Sequence, residues 1–194
     1  MTATKLAPGG GAGHRMTELV GYQERVDWMG LDVLTLAEIW PPRPRAVIVG
    51  INPSLTSVET GHYFQGQGAR GRIMMLVKAG LIELKGGERH FERAAVEAGI
   101  GFADLVRRPT RAATDLTIDE IEHGKIRFET NMAARDVALV IGIYAPPVEA
   151  LLGIKPRPGY QNERTAWGAR VFNLPRPYLK SETAAEVMST LRID

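Results

Sequence analysis

Three short apolar runs constrain the fold of this chain more than any other feature. They are Ala46-Val47-Ile48-Val49, the segment VALVIGI at 137–143 and the segment RVFNLP at 170–175. Each is short, and the first two are rich in β-branched residues, as a strand buried on both faces requires. The first stops at Gly50, and Asn52-Pro53-Ser54 follows at once. The third runs into Pro175 and Pro177. Between the runs lie stretches with helical spacing. Ile73, Leu76, Val77 and Leu81 predict a helix over 72–82, ended by Gly86-Gly87. Further helices are expected over 88–98 and 119–136, and Ser181 reads as the N-cap of a last one. Residues 16–40 are apolar-periodic and read as partly helical, ending at Pro41-Pro42. Strands alternating with helices predict an α/β fold, a central and mostly parallel sheet with helices on both faces.

Length fits one such layer structure. The 194 residues divide into a flexible tail, 1–15, and a single domain over 16–194. In an open parallel sheet, ligands bind beyond the carboxyl ends of the strands. Gly50-Ile51-Asn52-Pro53 and Leu174-Pro175-Arg176-Pro177 stand at two such ends, so the two turns are expected to meet at one cleft.

The residues after the first run have a definite chemistry. Asn52 carries both a donor and an acceptor and can hold a water. His62, Tyr63 and Phe64 follow about a dozen residues from the strand end, and Phe64 offers a flat face for stacking a base. Glycines at 61, 66, 68 and 71 permit close backbone approach. There is no cysteine, which excludes disulfides, a cysteine nucleophile and any cysteine-ligated zinc or iron–sulfur centre. No cofactor and no metal are expected. No Gly-rich loop with lysine marks a phosphate site.

Charge adds a partner class. Net charge is only +2, but 153–180 holds Lys155, Arg157, Arg164, Arg170, Arg176 and Lys180 against Glu163 alone. Arg70, Arg72 and Lys78 stand in 61–81 without an acid, and acids gather at 115–122. If the basic segments share a face, they suit a polyanion. No apolar run is long enough for a membrane span, the first residues lack the apolar centre of a signal peptide, and a cytoplasmic monomer is expected.

The segment GINPSLTSVETGHYFQGQGARGRIMMLVKAGL, 50–81, resembles the first motif of the uracil-DNA glycosylase superfamily. It is nearest to the mismatch-specific uracil- and thymine-DNA glycosylases, with Gly-Ile-Asn-Pro, a Gly-His-aromatic segment and a Gly-rich turn before a helix. GIGFADLVRRPTRAATDLT, 99–117, is similar to a second block of that branch, and VFNLPRPYLKS takes the place of its second motif. The resemblance covers roughly 30–194.

It implies excision of uracil, with other deaminated bases as further candidates, from single- or double-stranded DNA by water attack at C1′. Asn52 would hold the water, and Asp104 falls where the family has a polar residue near base or water. Gly50, Ile51, Pro53, Ser54, His62, Tyr63 and Phe64 would form the base pocket. Arg70, Arg72, Arg176, Pro177, Tyr178 and Lys180 would meet DNA. Departures are Ser54 for glycine, Ala69-Arg70-Gly71-Arg72 for an aromatic-bearing segment, and a shorter second motif. That motif has Arg176 for asparagine and Tyr178 for serine. The competing reading is a module that binds uracil or abasic DNA without turnover.

Overall fold

The computed structural model describes residues 18–176 and 180–193. Its centre is a five-stranded sheet of β3 (Ala46–Gly50), β4 (Ile100–Asp104), β5 (Leu139–Gly142), β6 (Gly159–Tyr160) and β7 (Arg170–Asn173), in the order β4-β3-β5-β7-β6. The first four in that order are parallel, and β6 runs antiparallel to β7 at the edge.

Alternate strand residues feed two cores. Ala46, Ile48, Ile100, Phe102, Leu139, Ile141 and Phe172 pack on one face. There they meet α2 (Gln67–Lys78), α3 (Glu92–Glu97) and α6 (Ser181–Ser189) through Ile73, Leu76, Ala95 and Met188. Val47, Val49, Ala103, Val140 and Val171 point to the other face. Phe128 and Met132 of α4 (Ile118–Ala134) and Val148 and Leu151 of α5 (Ala145–Leu152) cover it. Burial on both faces is why β3 and β5 read as unbroken apolar runs. The expected sheet with helices on both faces is the fold observed.

The helix expected over 72–82 lies instead at Gln67–Lys78, two other local expectations change, and two elements appear that the sequence did not declare. Residues 16–40 are not helical but form a hairpin, β1 (Gln23–Trp28) paired antiparallel to β2 (Leu31–Leu36). Met29 and Gly30 make a two-residue turn with φ of 53° and 82°, the positive pair that matches strand twist. Strand alternation sends Trp28 into one core and leaves Asp27 exposed, so period two overrides the helical reading. Ile39 continues the chain along the free edge of β4, exchanging backbone hydrogen bonds with Phe102 at 3.0 and 2.8 Å.

Second, Ser181 is the first helical residue of α6. Lys180 holds the cap position and makes no side-chain cap bond. Third, β4 lies inside the block 99–117, which showed no strand signal because its two glycines break the apolar run. Fourth, the helix α1 (Leu55–Thr60) follows the Asn-Pro turn directly. Ser54 caps it, its Oγ accepting the Ser57 N–H at 3.1 Å, a job glycine could not do.

The helix α1 ends at Gly61 with φ 73°, where a Cβ would stand 2.2 Å from the Val20 carbonyl oxygen. Tyr22 N–H donates to the Gly61 carbonyl at 2.8 Å, so the hairpin clamps the start of 61–64. Among the described residues no helix is long and apolar enough to cross a membrane. The tail, Pro177, Tyr178 and Leu179 lie outside the described residues.

Candidate active site

The register of the sheet sets the carboxyl ends level. Gly50 pairs with Asp104, Val49 with Gly142, and Gly142 with Asn173. From β3 the chain goes first to β4 on one side, then crosses to β5 on the other. That reversal makes a switch point between β3 and β5. A cavity of about 390 Å³ opens there. Its walls come from the loop after β3, from Asp104 at the end of β4, from Thr110 and Arg111 beyond it, and from Tyr144 after β5. The size lies within the range of small-molecule sites.

Asn52 is held rigidly at the rim. Its Nδ2 donates to the Arg108 carbonyl at 2.9 Å and to Thr110 Oγ1 at 2.8 Å, which occupies both amide hydrogens. Thr110 Oγ1 in turn donates to the Ala112 carbonyl at 2.7 Å. Asn52 Oδ1 has no partner among the described residues and is the atom left to accept from a ligand or water.

Asp104 is 2% exposed, and its Oδ1 is buried without a hydrogen-bond partner. Burial pushes its carboxyl up to about 7, against the attraction of Arg107 and Arg127 and with Glu38 reinforcing the rise. Arg127 donates to the Asp104 carbonyl at 2.8 Å and to Glu38 at 2.5 Å. Arg107 donates to the Leu36 carbonyl at 2.5 Å and pairs with Glu24. Both guanidiniums are thus engaged elsewhere, and the carboxyl stays desolvated. Only glycine fits at 50: a Cβ there would stand 2.1 Å from Asp104 Oδ1 and 3.4 Å from Phe64 Cε1. The carboxylate and the aromatic edge therefore meet over Gly50.

Phe64 lies at φ 56°, its ring 8% exposed and packed on Tyr63 and Phe102 with centroids 5.6 and 5.9 Å away. One edge still lines the cavity. Tyr63 lines it too, and its hydroxyl donates to the Ala37 carbonyl at 3.1 Å. Ile51, Pro53 and Ser54 complete the floor. The Ile51 carbonyl accepts the Val106 N–H at 2.9 Å and is occupied.

The expected site is therefore assembled in part. Gly50 through Ser54, Tyr63, Phe64 and Asp104 share the cavity. His62 does not line it; its ring turns away to stack on His90. Arg72 is not a surface cation. It is buried, donates to the Ile143 carbonyl at 2.7 Å and lies 4.4 Å from the Tyr144 ring centroid. Arg70 donates to the Arg89 carbonyl at 2.6 Å beside the Phe91 ring. Arg176 and Lys180 are exposed.

Among the described residues, the two strand-end turns do not share one cavity. Arg176 lines a neighbouring cavity of about 980 Å³ between α2 and α6, which touches the first at Gly68. Nor do the basic residues of 153–180 share one face. Arg170 begins β7 at the end of the sheet opposite Asn173, so it stands away from the cavity.

Sequence reasoning did not single out Thr110 or Tyr144. Thr110 was visible within Arg108-Pro109-Thr110, and Tyr144 sits one residue beyond the second run. The aromatic wall missing from 69–72 is supplied by Tyr144, with Arg72 beneath it.

A doubly wound sheet with an amide and a desolvated carboxyl at its switch point defines an α/β protein with a built small-molecule cleft. Residues 38–185 match the model of the uracil DNA glycosylase superfamily, and the chain belongs to that superfamily of DNA-repair glycosylases.

Proposed function

We propose that this chain excises uracil from DNA as a monofunctional glycosylase of the mismatch-specific type. It would act as a monomer on single- or double-stranded DNA and leave an abasic site. The observation that carries this reading is the pairing, over Gly50, of an unpartnered Asp104 Oδ1 with the Phe64 edge, beside a fixed Asn52.

In this reading the flipped base enters against Phe64 and Tyr63, which recovers part of the cost of leaving the stack. Asn52 Oδ1 accepts a hydrogen bond from water and aims its oxygen at C1′. As the C1′–N bond lengthens, positive charge develops on the sugar and negative charge on the leaving base. Ionised Asp104 stabilises the sugar cation and takes the proton from the water as the C1′–O bond forms. The base departs with the electron pair of the broken bond. The buried carboxyl, with a pKa of about 7, is ionised in a large share of molecules near neutrality and remains a competent base. Exposed Arg111, Arg176 and Lys180 would meet phosphates around the opening.

Incubation with a uracil-containing oligonucleotide, followed by alkali, tests this directly. Strand cleavage at the uracil position is expected. Tight binding without cleavage would instead assign the cavity to a uracil- or abasic-DNA binding module.

A further inference from the structure

Beside the cavity wall, three side chains converge that the proposed reaction does not use. Glu92 is 1% exposed at the start of α3. Its Oε1 accepts the Tyr63 N–H at 2.7 Å and lies 3.3 Å from His62 Nδ1. Its Oε2 is buried with no hydrogen-bond partner. The His90 ring stacks on His62, centroids 3.5 Å apart and planes 11° apart, and His90 Nδ1 is also buried without a partner. One ligand atom from each of the three residues lies within 4.8 Å of the others. Among the described residues, the only charged or chargeable group paired with Glu92 is His62.

A carboxylate oxygen and a ring nitrogen, both buried without a partner in one cluster of three side chains, are costly, and the carboxylate more so. A cation held between them satisfies both.

We propose that His62, His90 and Glu92 form a binding site for one divalent transition-metal ion, Zn²⁺ by the nature of the donors. Two imidazole nitrogens and one carboxylate oxygen are a common zinc set, with a fourth position left to water. Calcium and magnesium are disfavoured because they require mostly oxygen ligands. Nearly parallel stacked rings cannot both aim a lone pair at one ion, so binding turns the rings apart. The His62 side chain is 23% exposed, which leaves room for that turn and a path from solvent.

None of the three residues lines the cavity, so the ion stands outside the reaction. Its role is to clamp. It ties the 61–64 turn, which carries Tyr63 and Phe64, to the segment 90–92 that enters α3. Glu92 then holds the Tyr63 N–H with one oxygen and the metal with the other.

The test uses the full untagged chain, stripped with a chelator and titrated with Zn²⁺ by calorimetry, with thermal melts in parallel. One Zn²⁺ per chain and a raised Tm are expected. His62→Ala and His90→Ala should each weaken binding by at least about 100-fold, beyond the upper end of the effect of losing an outer-shell partner of a metal ligand. Glu92→Gln keeps an acceptor for the Tyr63 N–H, so it should preserve the metal-free melt while losing zinc affinity. Co²⁺ should give visible absorption bands in the parent chain that His90→Ala abolishes. No stoichiometric uptake by the parent chain would overturn the proposal. So would uptake of unchanged affinity in all three variants.

Discussion

Asn52 owes its orientation to Thr110, and that dependence can be measured. With both amide hydrogens committed to Arg108 and Thr110, the free Oδ1 is aimed before any ligand arrives. Removing one preorganised group of this kind costs about 10²–10³ in rate. Asn52→Ala should therefore slow single-turnover excision at least about 100-fold while DNA binding is largely kept; a rate near the parent's would remove Asn52 from the reaction. Thr110→Val should give a smaller loss, because it frees the amide without deleting it.

Asp104 makes a prediction of opposite sign for stability and activity. Its folded pKa, about 7, lies above the ordinary 3.8, so the native state holds a proton that the unfolded chain releases. Stability falls as pH rises from about 4 to about 7, and activity rises as the carboxyl ionises. The full cost is roughly 4 kcal/mol, about three tenfold steps at about 1.4 kcal/mol each. Asp104→Asn should melt higher than the parent above pH 7, and its excision rate should lose the rise through about 7. A parent rate that is flat across that range would rule out Asp104 as the base. Phe64 is more deeply packed than a simple stacking face. Phe64→Ala should lose excision and also stability, a Phe→Ala core change costing about 3–5 kcal/mol. Phe64→Tyr should retain more activity; equal loss in both variants would assign the ring to packing alone.

Among the elements, α4 connects stability to the site. Thr117 caps it, and Glu120 completes the capping box by accepting the Thr117 N–H at 3.0 Å. The same carboxylate takes two hydrogen bonds from Arg108, at 2.5 and 2.8 Å, and the Arg108 carbonyl orients Asn52. Arg108 holds the Glu120 carboxyl down at about 2. Its contribution is present above about 4.5 and is lost as pH falls toward 2. In thermal melts, Glu120→Gln should lower Tm at neutral pH and narrow its gap from the parent in acid. Thr117→Ala should cost about 1 kcal/mol. This helix was legible within two residues at each end, since its polar, helix-forming run has no competing pattern. The hairpin was not. Its alternation is short, and only the Met29-Gly30 turn separates it from a helical reading.

Over the whole molecule, burial sorts the cations into two classes that sequence treats alike. Arg176→Ala should lower DNA affinity and flatten the salt dependence by about one phosphate contact. Arg72→Ala should leave the salt slope nearly unchanged and lower Tm, because its guanidinium serves the Ile143 carbonyl and the Tyr144 ring. Equal slope changes in the two variants would place Arg72 on the DNA after all.

The sequence by itself determined the layered fold and the strand end that carries Asn52. Both are local matters: apolar runs with turn formers at their ends declare buried strands wherever they occur. Only the tertiary structure decided which side chains share the cavity. Asp104 became a desolvated carboxyl because the register of β4 sets it against Gly50. Tyr144 became a wall because β5 lies beside β3, and Arg72 left the surface because α2 presses it onto that ring. His62 turned from the cavity toward His90 and Glu92, residues about thirty positions away. Pairings at such separations depend on how helices dock over the sheet, and no short window of sequence carries that information.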